Sequence, residues 1–203
     1  MPAPEVTVTN VVPTDSNDPS GMGINMSVLP IVFGGLIGAV LLSVAVGTSR
    51  QRLLGWAIYV PLAAVVVTIV LQNIFDLLPG GFWQATGVFA LAIGAISAFI
   101  VGMKSAFGAK GMGLGIATIV LLANPLAGTM APKEFIPGGW GTFGQFFPNG
   151  AGATLLRSVT YFPQAPISAQ VWTLLAWMVV GLTLIFVGMQ RDKRVAAPAE
   201  VTE

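Results

Sequence analysis

The chain has little charge, and two residue types are missing altogether. Only 8% of its 203 residues are charged and 55% are hydrophobic, whereas about a quarter of the residues of a soluble domain are charged. There is no cysteine and no histidine. The first absence excludes disulfides, thiolate nucleophiles and thiolate metal ligands. The second removes the commonest general base and the usual pH switch near neutrality.

Two further patterns are absent. No GxxxxGK[ST] phosphate-binding loop occurs, so ATP binding through such a loop is excluded. No pair of acidic residues lies inside an apolar stretch. The chain therefore lacks the carboxylate pair that a proton relay in a membrane would use. We therefore predict that the chain is not an enzyme, holds no metal or cofactor and binds no nucleic acid. Any energy source would come from a partner or from a gradient.

Five long stretches carry no charged side chain. Each has about the 20 residues that an α-helix needs to cross a bilayer. They are continuous apolar runs, so the ~10-residue alternating strands of a membrane barrel are excluded. The sequence predicts an all-α, polytopic membrane helix bundle that occupies residues 27–190 and has the lipid bilayer as its partner. The predicted spans run approximately over Val28–Gly47, Leu53–Phe75, Trp83–Met103, Gly111–Met130 and Ala169–Met189.

Basic residues concentrate in the connections on one side of these spans. Because lysine and arginine favour the cytoplasmic side, the polar tail 1–26 is predicted outside and the tail 191–203 inside a bacterial cytoplasmic membrane. The basic residues on the predicted inner side are Arg50, Arg52, Lys104, Lys110, Arg191, Lys193 and Arg194, and those on the outer side are Lys133 and Arg157. The acidic residues Glu5, Asp15, Asp18, Asp76 and Glu134 lie on the outer side.

Small residues recur at every fourth position in two of the spans. The first span has Gly35, Ala39, Ser43 and Gly47, and the third has Ala90, Gly94, Ala98 and Gly102. Such stripes allow helix backbones to approach closely in lipid. One interpretation is that the stripes form contacts within the bundle. The other is that they form surfaces that slide during a transport cycle or pair in a homodimer, and the sequence leaves both interpretations open.

The end of the fourth span contains a polar residue followed by proline. Asn124 lies in the last turns, and Pro125 removes a helix hydrogen bond and kinks or ends the helix. One interpretation is a structural kink in which Asn124 satisfies freed carbonyls. The other is a functional helix break.

The one long loop, Ala131–Ile167, is rich in aromatic residues and poor in charge. Prolines and glycines divide it into pieces, two of which are predicted helices, Trp140–Phe147 and Ala151–Phe162. They are too short to span and too apolar for water, so we expect them to lie at the outer interface or to dip into the membrane as a re-entrant element. The alternative is that the aromatic side chains form an interfacial belt.

At this loop the chain resembles a known family. NPLAG at the end of the fourth span, KEFIPG, and FFPNGAGATLLR before the last span are similar to the C-terminal part of type-2 ABC exporter permeases, most of all the phage-infection-protein (YhgE/Pip) branch. The matching positions are Pro132, Glu134, Ile136, Pro137, Phe147, Pro148 and Arg157. The stretch DPSGMGINMSVLPIVFGG resembles the point where that branch re-enters the membrane after an external domain.

The resemblance implies a permease subunit with two short re-entrant helices before the last span. It implies six spans, of which this chain has the last five. The expected gating residues are Asn124, Pro125, Glu134, Pro137, Pro148 and Arg157, with Arg157 meeting lipid phosphate or Glu134.

The expected partners are a second copy or another membrane chain and a cytoplasmic ATPase, which would dock at Lys104 and Lys110 in the inner loop KSAFGAK. That loop and Thr48–Arg52 are very short. Their shortness favours the alternative function, a non-transporting scaffold or receptor subunit of a larger envelope or secretion complex.

Overall fold

A computed structural model of the protein describes residues 22–128 and 133–196. These residues form helices and connections, with no strand among them, which confirms the all-α prediction. The α-helices are α1 Met22–Ala45, α2 Ser49–Thr68, α3 Phe82–Ala117, α4 Asn124–Leu126, α5 Trp140–Gly144, α6 Pro148–Tyr161 and α7 Ser168–Ala196. Two π-helical segments, Ile69–Ile74 and Thr118–Ala123, continue α2 and α3, and two 3-10 turns, Lys133–Phe135 and Pro137–Gly139, precede α5.

Four helical stretches in the described residues are long and apolar enough to cross a membrane. They are Asn25–Ala45, Ser49–Ile74, Phe82–Leu126 and Ser168–Val195. The sequence predicted five because it divided the third stretch, which has 45 residues, into two spans. Apolar helices of membrane-spanning length are therefore present, and the difference in number lies entirely in this stretch.

The third stretch reverses its direction at Gly108. This residue has φ 71° and ψ −152°, a backbone conformation that glycine adopts readily because it lacks a Cβ. Seven residues later, a Cβ at Gly115 would lie 3.4 Å from the Cα of Ile100. In a straight helix these two residues would be roughly 22 Å apart. The stretch is thus a helical hairpin with a first arm, residues 82–107, and a return arm, residues 109–126.

The first arm is the centre of the bundle. It packs against α1, α2, α6 and α7, and every residue from 92 to 103 is buried. Its large side chains Phe89, Ile93, Ile96 and Ile100 are fully buried. The apolar core of the protein therefore surrounds this arm.

Small residues bring neighbouring helices into backbone contact with the first arm. The Cα of Gly181 in α7 lies directly against the backbone of Ala98. The carbonyl oxygen of Gly181 lies against Gly102. Gly188 meets Ser105 in the same way, and a Cβ at Gly35 of α1 would lie 2.6 Å from Ile96. At these positions the two stripes form contacts within the bundle.

Several helix ends differ from the prediction. Helix α1 begins at Met22, inside the predicted tail 1–26, of which residues 1–21 lie outside the described residues. Helix α7 continues to Ala196, so the basic cluster that begins at Arg191 is helical. The return arm ends at Leu126, and the predicted end at Met130 lies outside the described residues. The prediction placed helix ends where charge or polarity begins, but a helix tolerates charged residues beyond its apolar part.

The predicted inner loops are mostly helical. In Lys104–Lys110 only Gly108 departs from helical geometry. Thr48 is the N-cap of α2, where its hydroxyl accepts a hydrogen bond from the Gln51 amide at 3.3 Å, so Ser49–Arg52 belongs to the first turn. The prediction that these two segments are loops is wrong, because one glycine, Gly108, and one capping residue, Thr48, suffice to turn the chain.

Charged side chains join these connections at one end of the bundle. Arg52 donates to the carbonyls of Val46 and Gly47 at 3.2 and 3.1 Å, where α1 ends. Asp192 of α7 accepts from the Ser49 amide at 2.8 Å, and Arg191 donates to the carbonyl of Ala106. We refer to this end, residues 46–52, 104–110 and 190–196, as the basic end.

Substitution of Gly181 by alanine tests the close contact between α3 and α7. A methyl group there would collide with the backbone of Ala98 and Phe99, so we expect overpacking that costs about 1–3 kcal/mol of stability. Gly87 is the control, since a Cβ there meets nothing within 4 Å. In thermal unfolding of the detergent-purified protein, Gly181→Ala should lower Tm and Gly87→Ala should not. Equal Tm values for the two variants would contradict the contact.

Candidate functional site

Helices α5 and α6 form a hairpin that penetrates the bundle from the end opposite the basic end. The indole N–H of Trp177 donates to the carbonyl of Phe146 at 2.7 Å. Trp177 lies nine residues into α7, or about 14 Å along its axis. A Cβ at Gly152 would be 3.0 Å from the Cβ of Ala92, which lies about 15 Å along α3. The turn of the hairpin therefore lies deep along the axis of the bundle, with Phe147 buried and Phe146 65% exposed.

The sequence of α6 explains where this helix begins and why it fits. Phe147 has extended backbone geometry as the N-cap, and Pro148 takes the first helical position, where its missing amide costs nothing. The six residues from Pro148 to Ala153 are all buried, and most of them are small. We predicted a start at Ala151, because proline and Asn-Gly usually mark a turn. Here they begin the helix instead.

The large apolar side chains of the predicted helix Ala151–Phe162 are only partly buried. Leu155 and Leu156 are fully buried and Val159 is half-buried, but Phe162 is 46% exposed. The first half of α6 is buried in the bundle, and whether the helix lies at the interface or dips into the membrane stays a prediction. The small residues there allow insertion between α1 and α3.

Asn149 is a buried polar residue that the sequence analysis missed. Its side chain is fully buried, and its amide nitrogen donates to the carbonyl of Ile119 at 3.2 Å. Its oxygen has no hydrogen-bond partner among the described residues. Ile119 belongs to the π-helical segment of the return arm, and Pro125 beyond it has no amide to donate back into that segment. Asn149 thus ties α6 to an irregular part of the neighbouring helix.

A row of five aromatic rings runs from the surface into the bundle. Its successive centroid distances are 5.8, 5.4, 5.8 and 4.7 Å for the sequence of rings Trp140, Phe143, Phe147, Trp177 and Phe99. Most of these pairs meet edge to face, the arrangement that aromatic quadrupoles favour. Trp140 is 55% exposed, whereas Phe147 and Phe99 are buried. An interfacial belt accounts for the outer rings and not for the inner ones.

A polar cleft of about 380 Å³ lies beside the hairpin. Its lining residues are Ala127, Gly128, Lys133, Gln145, Thr154, Arg157 and Phe162. The hydroxyl of Thr154 donates to Gln145 Oε1 at 2.6 Å. The guanidinium of Arg157 donates to Asn25 Oδ1 on α1 at 3.4 Å. The two basic residues that the sequence placed on the outer side, Lys133 and Arg157, therefore line one cleft.

An apolar groove of about 400 Å³ adjoins this cleft. Leu121, Leu122, Pro125, Leu126, Ile136, Pro137 and Trp140 line it. The two spaces share a wall at the end of the return arm, since Leu126 faces the groove and the next residue, Ala127, faces the cleft.

The structure divides the predicted gating residues among several places. Pro125 and Pro137 line the apolar groove and Arg157 lines the polar cleft. Pro148 begins α6, and Asn124 is exposed and lines neither space. Glu134 falls in the turn Lys133–Phe135, but its side chain lies outside the described residues, so its contact with Arg157 stays a prediction.

The predicted docking residues lie at the other end of the bundle. Lys104 is half-buried on the first arm of α3, and Lys110 is exposed just beyond the Gly108 turn. They are therefore remote from the hairpin, and the docking of an ATPase there stays a prediction.

The isosteric substitution Asn149→Asp tests the hydrogen bond inside the bundle. It removes the side-chain hydrogen bond to the Ile119 carbonyl, which keeps the backbone amide of Asn124 as a donor, and it puts a carboxyl group in a buried site. We expect a loss of at least about 1–3 kcal/mol, the cost of leaving a buried polar group unsatisfied, seen as a lower Tm in detergent. Asn73→Asp makes the same change at an exposed position and should leave Tm nearly unchanged. A tolerated Asn149→Asp would show that Asn149 does not hold α6 in place.

Comparison with known proteins does not assign the chain to a family. No protein-family model, curated protein or solved structure matches it. The resemblance to exporter permeases therefore rests on the sequence motifs alone, and what it implies is a matter for proposal.

Proposed function

We propose that the protein is a permease-like subunit related to type-2 ABC exporters, which assists export across the bacterial cytoplasmic membrane. The observation that carries this proposal is the α5–α6 hairpin. It stands directly before the last long helix, and its turn lies deep in the bundle. The resemblance implies short re-entrant helices at this place in the chain.

The topology that goes with this proposal has five crossings, with the N-terminus outside. The first arm of α3 has a length of about 39 Å and the return arm of about 27 Å, against a hydrocarbon core of about 30 Å. Since the two arms run in opposite directions from Gly108, each would cross once. Most lysines and arginines would then lie in the cytoplasm, in agreement with their usual bias.

The hairpin satisfies the requirement that lipid imposes on irregular backbone. A non-helical turn at membrane depth is tolerated only where protein or water covers its polar groups. Here Trp177 donates to the Phe146 carbonyl in the turn, and α6 is enclosed by α1, α3 and α7. A hydrogen-bonded turn that leads into six buried residues of α6 supports a re-entrant element.

The two adjoining spaces favour an amphipathic cargo with a negative group. Lys133 and Arg157 line the polar cleft, while the described residues that line the groove on the other side of Leu126 have apolar side chains. An anionic head could bind at the first and an apolar portion at the second. The end of the return arm, with Gly128 at φ 64°, would act as the gate between them.

A scaffold remains the second candidate, and the short connections at the basic end favour it. Gly108 alone joins the two arms of α3, and only residues 46–48 separate α1 from α2. An ATPase that drives transport needs a surface to push against, and these turns offer little. In this second reading the hairpin would be a docking surface for envelope partners.

Cysteine labelling tests the five-crossing topology, because the chain has no cysteine of its own. With a membrane-impermeant maleimide, Gln84→Cys and Gln164→Cys should react in intact cells. Ala109→Cys and Val195→Cys should react only after permeabilisation. All four positions belong to exposed residues. Reaction of Ala109→Cys together with Gln84→Cys in intact cells would refute the reversal across the membrane.

Co-purification from native membranes in mild detergent tests the exporter function. We expect a stoichiometric cytoplasmic ATPase by mass spectrometry. Its recovery should fall with Lys110→Glu, at the Gly108 turn, and persist with the equal charge reversal Lys133→Glu at the opposite end. Recovery of envelope or membrane proteins without any ATPase would instead establish the scaffold.

A further inference from the structure

A second cleft lies at the basic end, between the beginning of α2 and the end of α7. Its volume is about 760 Å³, twice that of the polar cleft beside the hairpin. The lining residues are Thr48, Arg50, Leu53, Leu54, Phe186, Met189, Gln190, Asp192 and Lys193. No residue of this cleft enters the proposed transport function.

The lining of this cleft changes from charged to apolar within about one helical turn. Arg50 and Lys193 stand at its outer margin, and Leu54 and Phe186 lie further along the helices toward the middle of the bundle. Leu54 is one turn after Arg50, and Phe186 is two turns before Lys193. The cleft is therefore amphipathic in the direction that would be normal to a membrane.

The charges at the margin are arranged for an anion. Asp192 is the only acid among the described residues that line the cleft, and its carboxylate accepts the amide of Ser49 at 2.8 Å. The neighbouring arginines Arg52 and Arg191 are bonded to carbonyls at helix ends. Arg50 and Lys193, by contrast, are exposed side chains that face the cleft. The Arg50 and Lys193 side chains can therefore contact an anion in the cleft, because the Asp192 carboxylate already accepts the Ser49 amide.

We propose that this cleft binds one anionic phospholipid. Its phosphate would lie between Arg50 and Lys193, and an acyl chain would cover Leu53, Leu54 and Phe186. Basic pockets between membrane helices bind anionic headgroups, and each lysine or arginine near the surface contributes roughly a fivefold gain in affinity. A free phosphate could use the charges but would leave the apolar lining exposed, so the lining favours a lipid.

Bound lipid would add a second link between α2 and α7 at the basic end. Helices α2 and α7 are linked at this end by the Ser49–Asp192 hydrogen bond, and a lipid held by residues of both helices would bridge them. A ligand that binds only the folded protein raises its stability in proportion to occupancy. The protein should therefore unfold at a higher temperature in the presence of anionic lipid than in zwitterionic lipid.

Native mass spectrometry of the full chain in mild detergent tests the site. With added phosphatidylglycerol we expect one tightly retained lipid, and with phosphatidylcholine none. The double variant Arg50→Gln/Lys193→Gln should weaken retention by about 30-fold, given the contribution of each basic residue. The matched control is Lys110→Gln/Arg194→Gln, which removes the same charge from exposed residues outside the cleft and should retain the lipid.

A third variant, Leu54→Trp, separates a cleft from a diffuse charge effect. It keeps every charge and fills the apolar part, so it should also displace the lipid. Equal losses in both double variants would overturn the proposal in favour of general surface electrostatics. Equal retention of phosphatidylcholine would reduce the cleft to an unspecific apolar groove. Because this site lies at the end opposite the hairpin, either failure leaves the exporter proposal as it stands.

Discussion

The close approach of backbones along the first arm of α3 determines how the rest of the bundle is arranged. In lipid, helices gain nothing from hiding apolar surface from one another, so association depends on packing and hydrogen bonds. Gly181 against Ala98, and Gly102 against Gly181, bring α7 to the central helix with no side chain between them. This distance places Trp177 where its ring meets Phe99 and its N–H reaches the Phe146 carbonyl. The α5–α6 hairpin, whose turn contains Phe146, is thus positioned by a contact on another part of α7.

The insertion of α6 follows from the same small-residue packing and adds a requirement for hydrogen bonds. Gly152 fits against Ala92 because neither has a large side chain. A polar turn carried to this depth must be satisfied within the protein, since water is absent there. Trp177 donates to the Phe146 carbonyl in the turn, and Asn149 adds a second donor to the Ile119 carbonyl, which also accepts the Asn124 amide. The small residues therefore allow the hairpin to enter the bundle, and hydrogen bonds from Trp177 and Asn149 stabilise it there.

Much of the fold could be predicted because apolar length and charge are local properties of the sequence. Most of each apolar run is helical in the described residues, and the residues assigned to inner connections do meet at one end, where Asp192 reaches Ser49. What could not be predicted depends on contacts between distant residues. Helix α7 passes through its basic cluster because Arg191 and Asp192 find partners on other helices. Asn149 was missed because nothing in its own segment indicates the Ile119 carbonyl thirty residues earlier. Pro148 was read as a breaker, although the same ring is suited to begin a helix.

The distribution of these contacts limits which parts of the bundle could move in a transport cycle. At the basic end, Arg52, Arg191 and Asp192 join helix ends directly, and α7 touches α3 backbone to backbone at Gly181 and Gly188. Interlocked surfaces of this kind resist sliding, because any shift would force atoms into contact. The central arm and α7 would therefore move as one body.

The opposite end is different: cavities separate the return arm from the hairpin, and a π-helical segment precedes Pro125. Irregular helix segments are frequent at functional sites. If a partner drives this protein through a cycle, the displacement would be taken up between the return arm and the α5–α6 hairpin.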